Sequence, residues 1–202
     1  MRQLLFICLL LLPCAALAQD HPKAEFFAGY SYVRAFEEDI DLTQFGTPGV
    51  ATRRDADLNG FNFAINYNPV SWFGIVGDIG GAYGRADYVI SSPFGTTQFR
   101  AGTKVHTFLF GPQISGRAKK VTVFGRGLAG VARLDQSSTI QGQNITGDET
   151  SFSYGAGGGL DIRASDTVSI RAIQADVIWT RFGNSTQRNL RLSTGVVFRN
   201  KE

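Results

Sequence analysis

Apolar and polar residues alternate along most of this chain. Gly60, Asn62, Ala64 and Asn66 share one parity, and Phe61, Phe63, Ile65 and Tyr67 share the other. A period of two sends successive side chains to opposite faces of an extended strand, so one face here is small or polar and the other wholly apolar. The pattern recurs. Phe152, Tyr154, Ala156, Gly158, Leu160 and Ile162 oppose Ser153, Gly155, Gly157, Gly159, Asp161 and Arg163. Leu190, Leu192, Thr194, Val196 and Phe198 oppose Arg191, Ser193, Gly195, Val197 and Arg199. Phe73, Ile75, Ile79 and Tyr83 oppose Gly74, Val76, Asp78 and Gly80, while Phe26, Ala28, Tyr30 and Tyr32 oppose Glu25, Gly29 and Ser31. Two segments are less regular. Residues 105–115 carry apolar side chains on both parities, with His106, Phe108, Phe110 and Ile114 together on one. In 168–180 the parity switches between Arg171 and the pair Gln174 and Asp176, which predicts a β-bulge between them.

Eight such segments of about 10 to 13 residues can be counted, near the length a tilted strand needs to cross a bilayer. The connections alternate in length. Those at 36–56, 85–103 and 134–150 read as long polar loops, followed by a shorter one at 181–188. Those at 68–71, 116–120 and 164–167 read as tight turns, marked by Asn68-Pro69, Gly116 and Ser165-Asp166. Short turns on one rim and long loops on the other are the plan of an eight-stranded antiparallel up-and-down transmembrane β-barrel, all-β and a single domain.

Which face meets solvent follows from composition. Glycine, serine and asparagine with isolated charges would make a poor dry core, whereas the chain holds 16 phenylalanines. Turning the aromatic face to lipid points Glu25, Asp78, Arg126, Asp161, Asp176 and Arg191 inward. Tyr30, Tyr32, Tyr67, Trp72, Tyr83 and Trp179 then fall near strand ends, where amphipathic rings favour the headgroup boundary. Inward charges must be paired, because an unpaired buried ion costs several kcal/mol. The expected pairs are Asp161 with Arg171, across the turn at 164–167, and Glu25 with Arg199, at the closing seam. An eight-stranded lumen is filled by side chains, so a wide pore is not expected.

The N-terminus adds an address. Arg2, the apolar run from Leu4 to Leu12 and the small-x-small Ala16-Leu17-Ala18 have the anatomy of a secretory signal peptide spanning 1–18, cut between Ala18 and Gln19. The barrel domain then covers 19–202. Cys14 raises a lipoprotein alternative, but Pro13 stands where a small residue is expected before a lipidated cysteine. Cys8 and Cys14 both lie in the signal, so the mature chain has no disulfide or thiolate metal site. The whole chain carries a formal charge of +3, falling to about +2 without Arg2, too balanced to argue for nucleic acid.

Candidate chemistry is sparse. Gly125-Arg-Gly-Leu-Ala-Gly130 matches a dinucleotide fingerprint, but Val131-Ala-Arg continues a strand where the fingerprint demands a helix. Of the two histidines, His21 sits in a terminal tail and His106 near the end of a strand, neither at metal-ligand spacing. His106 is the one residue that fits a lipid-modifying enzyme, although no serine lies beside it. Glu37, Glu38, Asp39 and Asp41 read as solvated loop charge, as do Lys119 and Lys120 in their turn.

The stretch Glu25-Phe-Phe-Ala-Gly-Tyr-Ser-Tyr32 resembles the first strand of the outer-membrane β-barrel family that includes OmpA-like transmembrane domains and opacity-type porins. Gly157-Gly-Gly-Leu-Asp-Ile-Arg163 with Arg171-Ala-Ile-Gln-Ala-Asp176 is similar to its penultimate hairpin, and Leu190-Arg-Leu-Ser-Thr-Gly-Val-Val-Phe198 to its closing strand. Arg199-Asn-Lys-Glu202 follows the terminal aromatic that the family's assembly machinery reads, a departure from the pattern. No peptidoglycan-binding domain is expected after the barrel, so the wall-anchoring role of longer relatives does not carry over.

The sequence thus sets up a non-catalytic outer-membrane scaffold without cofactor or metal, whose lumen charges are Glu25, Asp78, Arg126, Asp161, Arg171, Asp176, Arg191 and Arg199. Its expected partners are outer-membrane lipid, the barrel-assembly machinery and an extracellular ligand at loops 36–56, 85–103 and 134–150, with the barrel a monomer. A narrow channel for small solutes and a lipid-modifying enzyme centred on His106 are the alternatives.

Overall fold

The computed structural model describes residues 21–36, 38–41, 50–53, 55–93, 95–140, 143–182 and 185–200. Ten strands follow in order, and no helix long and apolar enough to cross a membrane occurs among the described residues. Eight strands form the wall: β1 (Ala24–Ala35), β4 (Ala56–Val70), β5 (Phe73–Ser92), β6 (Gly95–Arg117), β7 (Val121–Ile140), β8 (Gln143–Arg163), β9 (Val168–Phe182) and β10 (Ser185–Arg199). Each pairs antiparallel with its neighbours in chain order, and β10 returns to β1 from Glu25↔Arg199 to Ala35↔Asn189. The ring is closed, so no edge faces hydrocarbon within it.

Alternation decides which way each side chain points. Ile65 is 57 % exposed and Phe110 67 %, whereas Asp78 and Arg191 are 1 % and 2 % exposed. The outer face carries Phe26, Phe63, Ile75, Ile79, Phe108, Phe152, Ile170 and Phe198, all exposed, in a continuous apolar belt. An apolar belt of this extent is unfavourable in water and matched to acyl chains. Tyr67 and Trp72 sit at the short-turn end of the belt; Tyr30, Tyr83 and Trp179 sit toward the other rim, and Tyr154 stacks on Trp179 at 5.6 Å. The lumen is not wholly polar. Phe27, Val76, Leu109, Leu128, Ile178 and Val197 are buried together inside it, so the apolar residues of both parities in β6 serve both surfaces.

The parity switch in β9 is a bulge at Ala172. Leu160 and Asp161 of β8 face Ile173 and Arg171, and Ser193 and Gly195 of β10 face Gln174 and Arg171, leaving Ala172 without a partner on β8. Ala172 and Ile173 consequently both point outward, which returns Gln174 and Asp176 to the lumen beside Arg171. Thr194 Oγ1 donates to the Arg171 carbonyl at 2.9 Å, satisfying an acceptor that the bulge withdraws from the ladder. At Gly81 the ring of Phe61, its cross-strand partner, lies where a β-carbon would stand (2.6 Å), so only glycine admits that close cover.

The long connections differ from the expectation. Residues 85–103 and 134–150 are not loops: β5 and β6 run on as a ladder to Ser92↔Gly95, and β7 and β8 to Ile140↔Gln143. The wall strands accordingly reach 20 to 23 residues on this side rather than about 13. The Thr, Ser and Gln residues that look loop-like still form ladders, because β-branched and hydroxyl side chains fit an exposed pleated surface. Within 36–56, β2 (Glu38–Asp41) and β3 (Val50–Arg53) make a short hairpin that docks on β5 through Val50↔Ser91 to Arg53↔Tyr88. At 181–188 the connection shrinks to the step from Phe182 to Ser185.

Candidate functional site: the lumen plug and the long rim

Two charged layers cross the lumen. The central one joins Asp78 (β5), Arg126 (β7), Asp176 (β9) and Arg191 (β10). Arg126 donates from Nε and Nη2 to Asp176 Oδ1 (2.9 Å) and Oδ2 (2.8 Å), and its Nη2 lies 3.1 Å from Asp78 Oδ2. Arg191 donates from Nη1 to Asp78 Oδ1 (2.8 Å) and from Nη2 to Asp176 Oδ2 (3.1 Å). Each cation touches both anions, so the four groups form a closed, electrically neutral ring in which no side chain is more than 2 % exposed. Asn62 donates to Asp78 Oδ2 (3.0 Å), and Gln174 donates to Asp176 Oδ2 (2.9 Å) and Asn62 Oδ1 (3.0 Å), extending the ring to β4.

The second layer lies toward the short turns. Arg171 donates from Nε and Nη2 to Asp161 Oδ1 (2.7 Å) and Oδ2 (3.0 Å), the pair expected across the turn at 164–167. Its guanidinium carbon sits 4.4 Å from the ring centre of Phe27 and 4.3 Å from that of Phe124, a cation held between two aromatic faces. Glu25 does not pair with Arg199, although the two face each other in the seam. Its carboxylate instead accepts Arg117 Nη1 (2.9 Å) and Nη2 (3.2 Å), with Asn66 and Asn68 each donating at 3.1 Å. The reason is directional. Arg117 reaches across the mouth with a bidentate fork, while Arg199 turns to the carbonyls of Ser165 (2.8 Å) and Val168 (3.5 Å). Sequence reasoning missed Arg117, Asn62, Gln174 and the Phe27–Phe124 clamp. Each acts across the lumen, where strand parity shows the direction of a side chain but not its partner.

Beside the central ring a small cavity is lined by Val33, Leu58, Ala82, Val105 and Ile178, with Thr107, Thr180 and Arg191. Nearer the rim, Ala35, Ala56, Ala86, Tyr88 and Ala101 pack together, and Gln136 donates to the Tyr88 hydroxyl.

On the outer surface at this rim, His106 Nε2 lies 3.0 Å from the Tyr83 hydroxyl and its Nδ1 3.9 Å from Asp135 Oδ2. Arg133, opposite His106, donates to Asp135 and Asp148, both at 3.2 Å. Among the described residues no serine joins these contacts. Farther out, Asp87 accepts from Arg100 (2.6 Å), a bond that holds the guanidinium pKa above its ordinary value. Gly125 to Gly130 lies within β7, so the glycine fingerprint has no helix N-terminus to offer a phosphate. No group of three or more metal-capable side chains occurs among the described residues. Ala18, Gln19, Glu37 and any cleavage site lie outside the described residues.

A closed antiparallel barrel, apolar outside and ion-paired within, is a transmembrane β-barrel. No family model matches this chain, and no curated relative does. Solved structures match its fold: Ail, the attachment invasion locus protein of Yersinia pestis, at 17 % identity and a TM-score of 0.58, covering 89 % of this chain and 100 % of that one. OprG from Pseudomonas aeruginosa matches at 10 % identity and 0.55, covering 90 % and 98 %, and the protease OmpT from Escherichia coli at 9 % and 0.51, covering 88 % and 96 %. A further structure of Ail, 21 % identical over 89 % of this chain and 100 % of that one with a TM-score of 0.53, holds the heparin analogue sucrose octasulfate. The protein has the fold of the outer-membrane β-barrels. That fold serves an attachment protein and a protease alike, so it leaves the activity to the site.

Proposed function

We propose that this chain is a non-catalytic outer-membrane scaffold, exported through a signal peptide cut between Ala18 and Gln19, with its short turns in the periplasm. Its closed barrel holds three hairpins, 36–56, 85–103 and 134–150, outside the cell for an extracellular ligand. The observation that carries the reading is the central ring of Asp78, Arg126, Asp176 and Arg191. Two neutralised ion pairs, none more than 2 % exposed, block the axis and tie opposite walls together. A rigid wall continued as ladders fixes the hairpins in space, the arrangement in which binding residues are held by a scaffold. The polyanion bound by Ail is consistent with a ligand at such a rim.

The second reading, a narrow channel, draws on the small cavity beside Arg191 and on the polar character of the lumen charges. Planar-bilayer recording tests it. The scaffold reading expects no steady current from the wild-type barrel, and a reproducible unitary conductance would replace it with the channel reading. An enzyme centred on His106 would have Tyr83 and Asp135 as its neighbours, with no serine hydroxyl beside it among the described residues. His106→Ala with an altered outer-membrane lipid profile would revive it.

A further inference from the structure

The cations on the outward face of the long rim do not all meet a counter-charge. Arg34 is held by Asp55 at 2.7 Å, Arg100 by Asp87 at 2.6 Å and Arg133 by Asp148 at 3.2 Å. Lys104 faces Asp135 across β6 and β7, and Arg85 stands one step beyond the Leu58↔Gly84 pair, next to Asp57 in the register. The seam of β9 and β10 differs. Arg188 is paired with Trp179 and Arg181 with Thr186, and both arginines are exposed. Among the described residues no carboxylate lies within ion-pair distance of either.

Pairing fixes how near the two cations stand. Arg181 and Arg188 are diagonal neighbours on one face, with β-carbons about 7–8 Å apart, so two long side chains can converge on one group. The Arg188 guanidinium carbon sits 4.7 Å from the ring centre of Phe36, and Trp179, opposite Arg188, stacks on Tyr154 at 5.6 Å. Such rings mark the headgroup boundary of a bilayer. Toward the middle of the wall, the same two strands turn Val177 beside Ala156 and Ala175 beside Gly158 outward, a shallow track between the bulkier Tyr154 and Ile173. Like charges this close repel, and an anion between them removes the repulsion. Two planar guanidinium forks match phosphate oxygens. A soluble anion would leave the apolar track beneath uncovered, whereas an amphiphile covers both.

We propose that the Arg181–Arg188 seam binds the phosphate of a membrane-lipid headgroup in the leaflet at the long rim, with an acyl chain lying along the Ala156–Ala175 track. The inference rests on the position of the wall in the membrane and not on the scaffold reading, and it holds whether or not the lumen conducts.

The test uses the folded full chain in uncharged maltoside micelles, which contain no phosphate, at matched ionic strength. Three probes are titrated: short-chain phosphatidic acid, the corresponding diacylglycerol without phosphate, and inorganic phosphate without a tail. NMR follows the Nε–H resonances of Arg181 and Arg188 and the indole N–H of Trp179. The expected result is a saturable shift of all three with phosphatidic acid, about tenfold weaker binding of inorganic phosphate, and no arginine shift with diacylglycerol. Arg181→Gln and Arg188→Gln should each weaken phosphatidic acid binding about tenfold, the effect of losing one charge-assisted contact, while Arg100→Gln leaves it unchanged. Heat-modifiable migration establishes that each variant is folded before titration. Inorganic phosphate binding as tightly as the lipid would make the seam a site for a soluble anion and overturn the proposal. So would the absence of a saturable shift, unchanged affinity in both arginine variants, or an equal loss in Arg100→Gln. The side chains of Glu37 and Glu38 lie outside the described ones, and the Glu37→Gln, Glu38→Gln double variant should bind as the wild type does. Binding about tenfold tighter in it would show that an internal carboxylate already fills the pair, which also overturns the site.

Discussion

Replacing Arg126 by Met and Asp176 by Leu, singly and together, asks whether the central ring is one unit. Arg126→Met leaves Asp78 and Asp176 facing Arg191 alone, one uncompensated negative charge where side chains are at most 2 % exposed. Asp176→Leu leaves one positive charge in excess at the same place. Breaking a buried pair from one side costs ~3–5 kcal/mol, so independent effects would sum to ~6–10 kcal/mol in the double variant. The double variant, however, keeps the Arg191–Asp78 contact at 2.8 Å, Asn62 on Asp78 and Gln174 on Asn62, and the ring is neutral again. Similar-volume apolar replacements of a buried pair are often nearly neutral, so the expected loss is ~1–3 kcal/mol, less than either single change. Urea unfolding in lipid vesicles reads this through heat-modifiable migration and the fluorescence of Trp72 and Trp179. At about 2 kcal/mol per molar urea, the midpoint falls ~1.5–2.5 M for each single variant and ~0.5–1.5 M for the double. A double variant that loses as much as the two singles combined would refute the closed ring, whatever the absolute values.

Three further outcomes are expected. Ile79→Arg, on the outer face midway between the interfacial rings of Trp72 and Tyr83, should lose ~2–4 kcal/mol in bilayers, while the same change at exposed Thr146 on the long rim should stay within about 0.5 kcal/mol; equal effects would reject the lipid-facing assignment. Gly111→Ala should destabilise by ~1–3 kcal/mol, because a β-carbon there meets the Gly127 carbonyl oxygen at 1.9 Å, whereas Gly127→Ala meets nothing within 4 Å and should be neutral or gain ~0.5–1 kcal/mol; thermal melting of the two variants in the opposite order would contradict the strand spacing. A cycle of Glu25→Gln with Arg117→Met should show coupling of about 1 kcal/mol or more, and the cycle with Arg199→Met little; the reverse, by urea unfolding, would restore the seam pair that Arg117 displaces.

The residues themselves determined the period, the closed all-β wall and the direction of each face. Two-residue alternation cannot bury Phe61, Phe63 and Ile65 without also collecting Asn62, Ala64 and Asn66 on the other side. Even the bulge was legible, because Arg171 and Asp176 stand on opposite parities yet both demand the lumen. Asp161 with Arg171 was legible for a local reason: ten residues separate them across one tight turn. Only the tertiary structure decided the rest. Glu25 meets Arg117 at a separation of 92 residues, Arg191 meets Asp78 at 113 and Gln174 meets Asn62 at 112, so these pairs depend on which strands the closed ring sets opposite one another. The height of the hairpins was hidden for another reason. Beyond the bilayer no apolar face is needed, so the Thr- and Ser-rich ladders at 85–103 and 134–150 lose the alternation that marks a strand, while their backbone pairing continues without it.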